Sequence, residues 1–293
     1  MKSEVEAVPD PEGPDPEGPA DKPHGRAGRD LSAAIGVGVS LVAMILASLY
    51  FFKASFVLIA VAALGIGLWE LGRAFESAGI RLPFVPIATG GSLMLLSAFY
   101  GGMAEASVTM ALTVIATLVW RLSDGPDGFV RDASAGLFSL SYLYLMATFV
   151  MLMLAESDGP ERVLVFVVAS IASDIGGYAA GVFLGKHPMA PTISPKKSWE
   201  GFGGSLITGI AAGVASVTLL LHGDWWVGVI LGVAGVVMAT LGDLAESLIK
   251  RDLGIKDMGT LLPGHGGLMD RLDSLVAVAP VAWLIMNYLI IPA

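Results

Sequence analysis

WWVGVILGVAGVVMATLGDLAE, residues 225–246, is a long apolar run whose only charges, Asp243 and Glu246, lie toward its C-terminal end. It runs directly into SLIKRDLGIKDMGTLLPGHGGLMDRLD, residues 247–273, and a second apolar run follows over 274–291. A helix of about 20 residues rises roughly 30 Å, the thickness of the hydrocarbon core of a bilayer. Each apolar run is therefore long enough to cross a membrane as a helix. The segment between them, with eight charged residues and a Pro-Gly-His-Gly-Gly turn at 263–267, belongs outside the hydrocarbon.

Seven further apolar segments extend this pattern toward the N-terminus. With the first two they make nine, over 31–52, 54–72, 83–101, 105–122, 133–155, 162–185, 203–221, 225–246 and 274–291. Composition agrees: 55% of the 293 residues are hydrophobic, 15% are charged, and the mean hydropathy is +0.74. A soluble chain carries about a quarter charged residues. The expected fold is an all-α polytopic integral membrane protein of about nine transmembrane helices. Residues 1–30 differ in kind, with eight acidic residues, four basic ones and a tandem DPEGP repeat. Such a segment cannot bury enough apolar surface to offset its ordering entropy, and it reads as a disordered acidic tail. The organisation expected is that tail, scaffold helices over 31–160 and a catalytic region over 161–293. The absence of cysteine excludes disulfides and thiolate metal sites. A net charge of −9 argues against nucleic acid as a partner.

Sidedness follows from the basic residues. With the N-terminus in the cytoplasm, 15 of the 17 Lys and Arg fall on the cytoplasmic side, and only Lys53 and Arg162 fall on the other. This asymmetry fits the positive-inside rule and places the C-terminus on the opposite side. The loops 186–202 and 247–273 then both face the cytoplasm.

Carboxylates within apolar spans cost at least ~2.5–3.5 kcal/mol, which makes them functional candidates. Asp174 sits in mid-span, and Asp243 and Glu246 near a span end. Asp243, Glu246, Ser247 and Lys250 follow i, i+3, i+4, i+7 spacing and share one helix face. Ser170, Asp174 and Tyr178 form a second polar stripe, with Gly176, Gly177 and Gly181 around it as close-packing positions. Glu70 stands three residues before Arg73, and an ion pair between them is expected.

The two polar loops suit bound phosphates. Lys250, Arg251, Lys256 and Arg271 lie among Asp252, Asp257, Asp270 and Asp273. Loop 186–202, KHPMAPTISPKKSWEGF, sets Lys196 and Lys197 between Ser194, Pro195, Ser198 and Glu200. Cations, acids and a Gly-rich turn together fit a metal-bound polyphosphate. A basic juxtamembrane loop attracted to anionic lipid is the other reading of 186–202.

These residues resemble the phosphatidate cytidylyltransferases, also called CDP-diacylglycerol synthases. The family signature runs Ser, Lys-Arg, Lys-Asp, Pro-x-His-Gly-Gly, Asp-Arg-x-Asp. It is matched by Ser247, Lys250-Arg251, Lys256-Asp257, Pro263 to Gly267 and Asp270 to Asp273. The Ser194 to Gly201 stretch is similar to the family's upstream Ser-Pro-Lys-Lys-Thr-Trp-Glu-Gly, with Ser198 in the threonine position. The resemblance runs from about Asp174 to Asp273; the first five spans carry no motif. It implies transfer of CMP from CTP to phosphatidate, with CDP-diacylglycerol and pyrophosphate as products; the short, acidic, Gly- and Ala-rich chain reads as bacterial, so a bacterial plasma membrane is expected. It implies Mg²⁺, with room for a second cation, on Asp243 and Asp270, with Glu246 and Asp273 next. It assigns Lys250, Arg251, Lys256, Asp257, His265 and Arg271 to the reacting centre, and Ser194, Lys196, Lys197, Ser198, Glu200, Gly266 and Gly267 to CTP or lipid phosphate. It also implies a homodimer. Two other classes stay open: a CTP-dependent lipid-alcohol kinase, and a secondary transporter using Asp174.

Overall fold

A computed structural model describes residues 43–259 and 267–290. The chain divides into two units, residues 1–46 and 47–293. Of the first unit, only the helical residues 43–46 are described. The expected tail 1–30 and most of the expected span 31–52 lie outside the described residues.

Among the described residues, eight helices are long and apolar enough to cross a membrane, all in the second unit. They are α1 (Lys53–Ser77), α2 (Phe84–Gly101), α3 (Met103–Leu122), α4 (Phe129–Ala155), α5 (Gly159–Leu184), α6 (Trp199–Leu220), α7 (Trp225–Asp252) and α8 (Met269–Leu289). Each matches one expected span. Pro83 and Pro86 do not prevent α2, because both stand at its start, where a missing N–H is harmless.

The helices run further than the apolar pattern. α7 continues past Glu246 to Asp252, and α8 begins at Met269 rather than at residue 274. Lys250 and Arg251 in the last turn of α7 complement its dipole. Gly254, at φ +68°, ends it in the left-handed region, with Ile255 N–H on Lys250 O at 2.9 Å. The loop expected over 247–273 is therefore shorter and helical at both ends. The loop expected over 186–202 folds in part as an antiparallel hairpin, β1 (Pro188–Ala190) and β2 (Ser194–Ser198), with Pro188 opposite Ser198. Ser198 then caps α6, accepting from Gly201 N–H at 3.1 Å.

Packing of α5 to α8 depends on small residues. Gly209 and Gly213 on α6 meet Gly232 and Gly228 on α7. A Cβ on Gly228 would lie 2.5 Å from Val214 Cα, and one on Gly232 would lie 2.6 Å from Ile210 Cα. Across the α5–α6 contact, a Cβ on Gly204 would lie 2.5 Å from Gly176 O. In lipid, where apolar surface gains nothing by leaving solvent, this backbone proximity supplies the attraction. The expectation that Gly176 and Gly177 serve packing agrees with these contacts.

The two ends of the bundle differ in charge. Lys53 donates to Glu156 O at 2.6 Å, and Arg162 to Met286 O at 2.9 Å, at one end. At the other, buried Arg121 pairs with buried Asp132 at 3.0 Å, and Asp132 also accepts from Arg81 N–H at 3.1 Å. Lys53 and Arg162 thus share the end opposite Arg81, Arg121 and Arg131.

Candidate active site

A cavity of about 770 Å³ opens among α5, α6, α7, α8 and the hairpin, in the size range of small-molecule sites. All of its lining residues come from 173–274. Its walls carry four basic side chains, Lys196, Lys197, Lys250 and Arg271, and five acids, Asp174, Asp243, Glu246, Asp270 and Asp273.

The charges are interlocked. β2 carries Lys197, whose ammonium pairs with Asp243 on α7. Lys250, one turn past Glu246, reaches Glu246 at 2.6 Å and Asp270 of α8 at 2.9 Å. Asp270 also accepts from Gly267 N–H at 2.9 Å and Met258 N–H at 3.3 Å. Asp273 accepts from Ser274 N–H at 2.7 Å, and its carboxyl lies within hydrogen-bonding reach of Glu246. Asp174 has Asp243, Lys197 and Arg271 as its charged neighbours. The i, i+3, i+7 face of Asp243, Glu246 and Lys250 is therefore the wall on which three helices and the hairpin converge.

One feature of this wall invites a cation. Glu246 is 2% exposed, and among the described residues no donor reaches its Oε1, while the Asp273 carboxyl lies beside it. Two buried carboxyls side by side with an unfilled acceptor are costly unless positive charge or a proton joins them. Among the described residues, no three Asp, Glu or His converge on one point. Mg²⁺ does not require that: one or two carboxylates plus phosphate oxygens and water suffice. The donor set fits the ion.

The profile of the Cytidylyltransferase family matches residues 32–289, nearly the whole chain. The chain belongs to the cytidylyltransferase family. Among its curated relatives, the phosphatidate cytidylyltransferase of Mycobacterium bovis is 42% identical over 277 residues, 90% of each chain. That of Mycobacterium leprae is 41% identical over 280 residues, again 90% of each chain. That of Haemophilus influenzae is 36% identical over 161 residues, 53% of this chain and 47% of the relative. The protein is a nucleotidyltransferase of the same family as the CDP-diacylglycerol synthases.

In this cytidylyltransferase the structure brings Asp243, Glu246, Lys250, Asp270, Arg271, Asp273, Lys196, Lys197 and Ser198 to one cavity. Other expected site residues stand elsewhere. Arg251 is exposed and directs its Nε at Ile193 O, 3.4 Å away. Lys256 and Asp257 are exposed beyond α7 and do not line the cavity. Ser194 opens β2 away from the lining, and Gly267 meets the site only through its bond to Asp270. Glu200 latches the hairpin, accepting from Lys186 N–H at 3.1 Å and His187 N–H at 3.2 Å, with His187 Nδ1 at 2.5 Å. His265 and Gly266 lie outside the described residues.

Sequence reasoning missed two buried groups behind this wall. The π-helical stretch Leu140–Leu145 within α4 carries Tyr142, whose buried hydroxyl has no partner among the described residues and whose charged neighbours are Asp273, Glu246 and Asp243. A tyrosine in an apolar span gives no sequence signal, and a π turn shifts the helix face. Glu70 is the second. The expected ion pair with Arg73 is absent: Arg73 lies over the Trp69 ring at 5.3 Å, and Glu70 is 1% exposed and accepts from Met269 N–H at 2.8 Å. Glu70 faces inward because a carboxylate is held far better by the free N–H groups at the start of α8 than by an exposed arginine. Its one warning sign was an acid inside an apolar run, with Arg73 the one charged residue close to it in sequence.

Proposed function

We propose that this nucleotidyltransferase transfers CMP from CTP to phosphatidate, forming CDP-diacylglycerol and releasing pyrophosphate. The phosphate of the lipid attacks the α-phosphorus of CTP, and the bond to the pyrophosphate leaving group breaks. The observation that carries the reading is the cavity itself. Four basic side chains and five acids line one opening at the end of the bundle that also holds Arg81, Arg121 and Arg131. The names of relatives that cover 90% of the chain support the lipid substrate.

Both reactants are anions, so bringing their phosphates together is the main barrier. Lys196, Lys197, Lys250 and Arg271 line the cavity and would neutralise phosphate oxygens there. Lys197 and Lys250 now rest on Asp243, Glu246 and Asp270; a triphosphate offers them stronger anionic partners and frees the carboxylates. Asp243 and Asp270, with Glu246 and Asp273 beside them, would hold Mg²⁺, which supplies charge neutralisation between the two phosphates when bound. The attacking lipid phosphate is ionised near neutral pH, so the chain needs no general base and no covalent nucleophile. We place the cavity on the cytoplasmic side of a bacterial plasma membrane, a reading that the asymmetry of Lys and Arg and the cytoplasmic supply of CTP support, and we expect a homodimer.

The test is product formation by the detergent-purified protein supplied with Mg²⁺, CTP and phosphatidate. CDP-diacylglycerol and pyrophosphate in equal amounts support the assignment. CDP, together with a phosphorylated lipid alcohol supplied in parallel, would replace it with a kinase.

A further inference from the structure

We propose that Glu70, on α1 and remote in sequence from every motif, is a positioning residue that pins Gly259, Gly267 and the start of α8, and through them sets Asp270. The contacts form a closed set. Glu70 Oε2 accepts from Met269 N–H at 2.8 Å, the first residue of α8. The position a Cβ would take on Gly267 is 2.8 Å from Glu70 Oε2, 2.8 Å from Gly259 N and 3.0 Å from Asp270 Oδ2. A Cβ on Gly259 would lie 2.5 Å from Glu70 Cδ. Both glycines are thus pressed against one carboxylate, and neither position has room for a side chain. Asp270 holds the same two ends from the cavity side, through Gly267 N–H at 2.9 Å and Met258 N–H at 3.3 Å.

The arrangement has a division of labour. Asp270 lines the cavity and touches Lys250, whereas Glu70 is walled off and touches no cavity residue but the backbone that carries Asp270. One turn before it, α1 and α8 pack at ordinary van der Waals distance, a hypothetical Cβ on Gly67 lying 3.6 Å from Met269 Sδ. Among the described residues Glu70 Oε1 has no hydrogen-bond partner, and Oε2 alone holds the start of α8. A buried carboxylate with a half-filled acceptor set calls for an explanation, and the two glycines crowded against it supply one. The helix start it accepts from favours negative charge at this place.

The proposal rests on the cytidylyltransferase reading for its turnover arm only. Glu70→Ala and Glu70→Gln are compared with wild type by hydrogen exchange and by steady-state kinetics with CTP and phosphatidate. Loss of a charge-assisted bond at the start of α8 is expected to speed exchange over 267–270 about 10-fold in Glu70→Ala, with α2 and α3 unchanged. Turnover per folded molecule is expected to fall about 10-fold, with KM for CTP within roughly threefold of wild type. Glu70→Gln keeps an acceptor for Met269 N–H and is expected to retain most of both. Unchanged exchange over 267–270, or faster exchange with undiminished turnover, would overturn the proposal. A wild type that consumes no CTP would instead overturn the reaction assignment, and the exchange contrast would still decide whether Glu70 pins the two glycines.

Discussion

Lys250 is the residue on which the charged wall turns. It touches Glu246 at 2.6 Å and Asp270 at 2.9 Å, and Glu246 is 2% exposed. Removing one partner of a buried pair leaves an uncompensated charge, at a cost of about 3–5 kcal/mol. Lys250→Met is expected to lower the thermal unfolding midpoint in detergent and to cut CDP-diacylglycerol formation by about 10²-fold or more. Adding Glu246→Gln removes the stranded charge. The double variant is expected to regain stability without activity, which separates the structural role of the pair from its chemical one. Lys250, Glu246 and Asp243 were legible in the sequence because helical spacing alone puts them on one face. Glu70 was not, because its hydrogen-bond partner is 199 positions away and its nearest basic residue in sequence offered a plausible but wrong mate.

The helices were legible as elements and illegible at their ends. Hydrocarbon thickness fixes a minimum apolar length, so each of the eight described spans announces itself. Nothing in that constraint stops a helix where the lipid ends. α7 therefore carries Ser247, Lys250 and Arg251 as helical residues, and α6 starts at a Ser198 cap inside what reads as loop. The α6–α7 crossing is where element packing can be tested. A Cβ on Gly228 would lie 2.5 Å from Val214 Cα, a backbone atom that cannot move aside. Gly228→Leu is expected to destabilise the detergent-solubilised protein by about 1–3 kcal/mol, read from its thermal midpoint. Gly203→Ala, where no atom lies within 4 Å of the added methyl, is expected to be neutral in the same measurement.

For the whole molecule, sidedness decides whether a cytoplasmic nucleotide can reach the cavity. The chain contains no cysteine, so single introduced thiols report topology without background. Ser123, exposed after α3, lies at the Arg121 end; His222, exposed between α6 and α7, lies at the other. In intact cells a membrane-impermeant maleimide is expected to label His222→Cys and to spare Ser123→Cys until the cells are lysed. The reverse pattern would place the cavity outside the cytoplasm. The most direct test of the central claim is the reaction itself, run with Mg²⁺, CTP and phosphatidate on purified wild type beside Asp243→Asn and Asp270→Asn. CDP-diacylglycerol and pyrophosphate are expected from wild type, reduced by about 10²-fold or more in both variants. Folded wild type that turns over no CTP, or variants as active as wild type, would contradict that claim.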